Sequence, residues 1–146
     1  MKLLFLVAFV CIAGFLVFSL KDSYITQESF TEMVSLKGHQ LSVEIADTPA
    51  KQGQGLSERV SMKEGEGMLF VFQHPHIPSF WMKDMHFPLD IIWIDESRAI
   101  VGIERNVPTS SFPQTFSPTQ PVLYVLELNA SWADRYGVVV GDRITW

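Results

Sequence analysis

Hydrophobic positions in this chain fall into one long unbroken run followed by many short ones. From Leu3 to Leu20 no charge interrupts the run, which lies between Lys2 and the pair Lys21-Asp22. A helix of that length, at about 1.5 Å per residue, spans roughly 27 Å, close to a hydrocarbon core of about 30 Å. Positive charge on its N-terminal side predicts N-terminus in and domain out. Residues 1–20 therefore read as a signal anchor. A cleavable signal peptide is the competing reading, because Val17-Phe-Ser19 supplies tolerable residues before a cut. Either reading places the rest of the chain on the extracytoplasmic side of the cytoplasmic membrane, anchored through residues 3–20, or periplasmic or secreted once cleaved. Residues 21–30 are polar and without period, and predict a tether.

After residue 30 the apolar runs are short and rich in β-branched and aromatic residues. Met33 to Leu36 and Leu41 to Ala46 flank Lys37-Gly-His-Gln40, the pattern of a hairpin. Thr48-Pro49 supplies an N-cap with proline at the first helical position, and Gly55 a stop, for a helix of about two turns. Further strands are expected at Met68 to Phe72, Phe80 to Lys83, Leu89 to Asp95, Ala99 to Ile103 and Val122 to Leu128, with a turn at Asp95-Glu-Ser-Arg98. Residues 106–120 hold three prolines and many Ser/Thr and predict a long loop. Asn129 is the expected cap of a short helix ending before Gly137, and Gly141-Asp142 turns into a last strand ending at Trp146. The pattern predicts an all-β domain over residues 31–146, a small sandwich or partly closed barrel of seven to eight short strands with two short helices.

Composition narrows the partners. Without Lys2 the chain carries ten basic and sixteen acidic residues, a formal charge of −6 spread along its length. An acidic domain with no Lys/Arg cluster repels phosphate backbones, which argues against nucleic acid. The one cysteine, Cys11, lies in the apolar run. The domain therefore has no disulfide framework and no thiolate metal site.

Residues 67–95 read GMLFVFQHPHIPSFWMKDMHFPLDIIWID, and this resembles the prokaryotic family known as domain of unknown function 192. Its signature is matched here at Gly55-Leu56, Gly67 to Phe72, Phe80 to Lys83, Pro88 to Ile91, Ile94-Asp95, Tyr124 to Glu127 and Gly141-Asp142. The match covers essentially all of residues 31–146. Three departures stand out, with Ser57 in place of the usual Met, Asp84 of Asn and Met85 of Thr. The resemblance implies a compact β fold and frequent export, and brings no established activity.

Candidate chemistry centres on acids inside apolar runs. The strands Met68 to Phe72 and Leu89 to Asp95 are apolar at odd and even positions alike, which predicts that both of their faces are covered. Asp90 and Glu127 sit in such runs, and a buried unpartnered carboxylate costs several kcal/mol, on the order of the penalty for uncompensated charge. If Phe80 to Lys83 and Leu89 to Asp95 pair as a hairpin, Lys83 lies opposite Asp90, and a Lys83/Asp90/Glu127 cluster follows. Its bland counterpart is a polar network that fixes strand register. Alternation separates Trp81 from Phe80 and Met82 and sets it on the face of Lys83, while the other aromatics read as core. His74-Pro-His76 offers two imidazoles at i and i+2, too few for a metal site, and surface histidines are the better reading. No serine stands in a nucleophile elbow, and Gly65-Glu66-Gly67 lacks the lysine and helix of a phosphate loop.

The sequence thus predicts an accessory domain without cofactor or metal that binds a protein segment or small ligand. Trp81, Lys83, Asp84, Asp90 and Glu127 are its candidate site residues, near the Lys83 to Asp90 turn and the 106–120 loop. Two rivals stay open. One is a small hydrolase or lyase with Glu127 or Asp90 as general base and Lys83 as electrostatic stabiliser. The other is a structural envelope protein.

Overall fold

Alternation along the first described strands fixes which side of them is buried. Val34, Leu36, Leu41 and Val43 share one face and are fully covered. They belong to β1 (Thr31–Leu36) and β2 (His39–Ala46), an antiparallel hairpin. Lys37 and Gly38 turn it with φ of 55° and 81°, the paired positive values of a type I′ turn, which glycine at the second position eases. The computed structural model describes residues 31–146. The expected membrane segment and tether lie outside the described residues.

The remaining elements are α1 (Pro49–Gln54), β3 (Glu66–His76), β4 (Phe80–Trp81), β5 (Leu89–Ile94), β6 (Ile100–Val107), β7 (Thr115–Phe116), β8 (Val122–Asn129), α2 (Trp132–Arg135) and β9 (Ile144–Thr145). Seven strands form one sheet in the order β6-β5-β8-β3-β2-β1-β9, and β4 pairs with β7 in a small second sheet. Only β2 and β3 run parallel within the large sheet, and the crossover between them carries α1. Thr48 caps α1 by accepting from the Lys51 N–H, with Pro49 in the first turn and Gly55 ending it, as the sequence predicts.

The large sheet curls until its ends meet. At the start of β6 the Ile100 N–H donates to Asp142 O at 2.8 Å, the Gly141 N–H donates to Ile100 O at 2.8 Å, and the Ile144 N–H donates to Arg98 O at 3.1 Å. The segments leading into the edge strands β6 and β9 are thereby joined at one end. This is the partly closed barrel rather than the sandwich, because one curled sheet supplies the framework and no comparable sheet faces it.

Both faces of the central strands are covered, as the apolar runs require. Leu69, Ile92, Ile94, Leu126 and Leu128 enter a first core closed by Trp132 and Ala133 of α2. Met68, Phe70, Ile91, Trp93 and Val125 enter a second core, closed by Leu56 and Met82 from the connections. All six residues of β5 are buried in consequence.

Three local expectations are corrected. The hairpin between Phe80 to Lys83 and Leu89 to Asp95 does not form: both edges of β5 are taken by β6 and β8, so β4 pairs with β7 through Phe80–Phe116 and Trp81–Thr115. The 106–120 segment is less irregular than its prolines suggest, since β6 runs on to Val107 and a 3-10 turn at Thr109–Ser111 precedes β7. Asn129 does not cap α2. That helix starts after Ser131, which makes no side-chain cap, and its N–H groups are met from another strand.

Candidate functional site

Two carboxylates are buried in the sheet, and strand geometry gives them opposite surroundings. Asp90 on β5 lies opposite Leu128, on the face of the first core, whereas Glu127 on β8 lies opposite Ile91 and Met68, on the face of the second. Asp90 is fully enclosed. Its Oδ1 accepts from the Asn106 N–H at 2.8 Å and the Ser131 N–H at 3.3 Å, and its Oδ2 from the Ala133 N–H at 2.8 Å. Asp90 thus satisfies the first turn of α2 and ties it to β5, the service an N-cap normally gives.

Glu127 has no such partners. It is 6% exposed, and its flanking positions on the neighbouring strands are apolar. No described residue gives it a hydrogen bond. Burial pushes its carboxyl up to about 8, against the downward pull of the Arg59 charge. Arg59 is itself committed to Glu44 by a two-pronged ion pair, with Nη2 2.8 Å from Oε2. That bond holds the Glu44 carboxyl below its ordinary value.

Glu127 lines a cleft of about 410 Å³, together with Gln52 to Ser57, Phe70, Phe72, His76 to Trp81 and Met85. One wall is α1 and the turn after it, where a Cβ added at Gly55 would touch the Phe70 ring at 3.5 Å. The other wall is the chain entering β4. Phe80 stands edge-on to Phe70 at 4.8 Å and to Trp93 at 5.5 Å, so the aromatic floor is held from beneath by the second core. A neighbouring hollow of about 380 Å³ holds Glu44, Lys51 and Arg59, and shares Gln54 and Gly55 with the first.

The predicted residues do not come together as one cluster. Trp81 points outward, 53% exposed, at the rim of the cleft, with Phe80 and Met82 turned inward. Lys83 lies with its ammonium 6.0 Å from the Trp81 ring centre, and forms no ion pair among the described residues. The Lys83/Asp90/Glu127 cluster is therefore corrected: Asp90 and Glu127 leave the sheet on opposite faces, and Lys83 is on the outside of a turn. Asp84, exposed in that turn, adopts φ 55°, a left-handed conformation that Asn and Asp tolerate better than most residues. Its carbonyl accepts from the Glu58 N–H at 2.7 Å. His74 and His76 are exposed at the end of β3, with His76 Nδ1 3.2 Å from His74 O.

Sequence reasoning missed Gln52, Gln54, Ser57 and Arg59. The first two belong to a helix that was legible only as a helix. Arg59 follows an unpatterned turn, so nothing local signals its pairing with Glu44.

The fold and cleft define a class: an all-β half-barrel domain with a recess over the face that carries Glu127. Residues 32–146 match the family DUF192, described as Uncharacterized ACR, and the chain belongs to that family. Two solved structures share the fold. A protein described as a candidate transcription regulator from Sinorhizobium meliloti is 39% identical, with a TM-score of 0.75, over 80% of this chain and 94% of that one. A protein of unknown function from Novosphingobium aromaticivorans is 31% identical, with a TM-score of 0.77, over 84% of this chain and 90% of that one. No curated protein gives a significant match.

Proposed function

We propose that this chain is an accessory binding domain, held at the outer side of the cytoplasmic membrane by residues 3–20 or released there by cleavage. Its cleft beneath α1 takes a small ligand or a side chain of a protein segment. One observation carries the reading: Glu127 is a nearly enclosed carboxyl without an intramolecular partner, aimed into a recess of about 410 Å³. A carboxyl with so little access to water loses most of its hydration, at a cost on the order of 1–3 kcal/mol. A fold tolerates that cost where a ligand later offsets it. Trp81 at the rim supplies the exposed aromatic surface that binding sites favour.

A catalytic reading has one point in its favour. A carboxyl near 8 is matched to proton transfer at neutral pH. Lys83 and Asp90 stand away from it, however, and the Ser57 hydroxyl on the cleft wall is committed to Lys83 O. The description carried by the Sinorhizobium relative suggests gene regulation, but the charge of −6 after Lys2 opposes contact with DNA.

The test is a fragment screen on the full-length chain in detergent micelles, read by amide chemical shifts. Binding that perturbs Gln54, Ser57 and Trp81, and vanishes in Trp81→Ala, supports the proposal. Perturbations confined to other faces would defeat it. Fractionation of cells expressing the full chain, with the mass of the mature protein, tests the membrane assignment separately.

A further inference from the structure

Acceptors predominate among the uncommitted polar side chains around the cleft. Gln52 directs its Nε2 donors to Ala46 O at 3.2 Å and Val71 O at 3.0 Å. Gln54 Nε2 donates to Ser57 O at 3.2 Å, and Ser57 Oγ donates to Lys83 O at 3.0 Å. Carbonyl partners leave no ambiguity about which end of each amide is which. Both Gln52 N–H groups and the Ser57 hydroxyl are thus committed to the wall, with one Gln54 N–H and the Ser79 hydroxyl left over, while the unspent acceptors are both amide oxygens, the lone pairs of Ser57 and the carboxyl of Glu127.

No Lys or Arg lines the recess. Arg59, the cation closest in effect, is paired with Glu44 in the neighbouring hollow, though its charge still reaches Glu127. Phe70, Phe72, Phe80 and Trp81 add ring surface, whose faces attract cations. The chain as a whole is acidic, which favours the approach of positive ligands.

We infer that the cleft recognises an organic cation, a primary ammonium on an apolar or aromatic body, with the ammonium at Glu127 and the Gln52 and Gln54 oxygens and the body along Phe70, Phe80 and Trp81. The inference rests on the reading of the cleft as a ligand site and adds the chemical class. A free amine and the side chain of a lysine present the same chemistry.

Binding of the cation favours the ionised form of Glu127, so a proton leaves as the ligand enters. The other charged or titratable groups facing that carboxyl are Arg59 with its partner Glu44, His76 on the cleft wall, and Glu104, which lies in the same row across the sheet beyond Ile91. Arg59 and Glu44 stay paired through the neutral range. The His76→Gln variant below separates any contribution of His76 from that of Glu127.

The experiment titrates the full-length chain with phenethylamine, with Nα-acetyl-lysine methylamide, and with neutral 2-phenylethanol, from pH 6 to 9. At least one amine is expected to bind at least tenfold more tightly than the alcohol, with affinity rising about tenfold per pH unit up to about 8 and then levelling. The stronger of the two amines identifies the source. Glu127→Gln should lower amine affinity at least tenfold and flatten the pH dependence. Gln54→Leu should weaken it severalfold, and His76→Gln should leave the profile in place. Equal binding of alcohol and amine, with loss in Trp81→Ala, would overturn the cationic class while the cleft stands as a site. Failure of every probe and of a neutral and anionic fragment set to shift cleft amides would overturn both.

Discussion

Asp90 and Glu127 sit on adjacent strands within one residue of register, Asp90 beside Leu128 and Glu127 beside Ile91, yet their side chains leave the sheet in opposite directions. One carboxylate collects three backbone N–H donors and holds a helix. The other collects none and faces a recess. The period of a β-strand alone separates an acid tied into the fold from one left without a partner.

That separation makes Asp90→Ala a stability variant. Removing the acceptor strands the N–H groups of Asn106 and Ala133 in an enclosed site, at a cost of roughly 2–5 kcal/mol. Asp90→Asn keeps one acceptor and should lose less. Urea unfolding measures both, and the surviving folded fraction should bind cleft ligands as the parent does. Loss of binding without loss of stability would contradict the assignment.

Glu127 gives the opposite pH signature. Its folded-state value near 8 lies above the ordinary 4.5, so between those values the folded chain holds a proton that the unfolded chain has released. The stabilising contribution is whole below about 4.5, declines through the window, and is gone above about 8, a change on the order of 3–5 kcal/mol. Glu127→Gln should remove that decline. The difference in unfolding free energy between parent and variant, measured from pH 5 to 9, isolates the effect, because Glu44, Asp95 and Asp142 have lowered values and lose their contributions only in acid. A constant difference across the range would refute it.

Arg59 restrains Glu127 through its charge. Arg59→Met should therefore move the Glu127 titration upward from about 8, and free Glu44 to titrate closer to its ordinary range. Lys83→Met should leave both unchanged, since its ammonium lies over Trp81 on the outside of the turn. Carboxyl carbon shifts followed by NMR report each group. Movement of Glu127 in Lys83→Met would restore the cluster that strand pairing argues against.

How much of this was legible in the sequence depends on how local its cause is. The hairpin at Lys37-Gly38, the cap at Thr48 and the doubly covered strands follow from turn chemistry and apolar spacing within a few residues. The burial of Asp90 and Glu127 follows too, because a carboxylate inside an all-apolar strand has nowhere else to go. Their opposite faces do not follow, because they require the β5–β8 register, a pairing of residues far apart in the chain. The same holds for the pairing of β4: Phe80 to Lys83 looked like a hairpin arm for Leu89 to Asp95, and only the occupation of both β5 edges by β6 and β8 redirects it to β7. Arg59 and Glu44 meet across β2 and an irregular turn, where no periodicity marks either.

Among the described glycines, the tightest surroundings lie beside Glu127. Gly67 sits at the start of β3 between Val43 and Leu128, and a Cβ placed there would lie 2.7 Å from Leu128 Cδ2 and 2.8 Å from the backbone oxygen of Glu127. The leucine can rotate, but the carbonyl belongs to β8, an interior strand paired on both edges, and cannot retreat without loosening the β3–β8 ladder. Gly67→Ala should therefore destabilise the domain by about 1–3 kcal/mol, the range for overpacking a filled core, despite alanine's advantage in backbone entropy. Gly53→Ala makes the control, because nothing lies within 4 Å of its added carbon and alanine favours the helix. It should be neutral or stabilise by a few tenths to about 1 kcal/mol. Thermal unfolding of the two variants under one condition decides the matter, and equal melting temperatures would show that the ladder gives way more easily than its geometry implies.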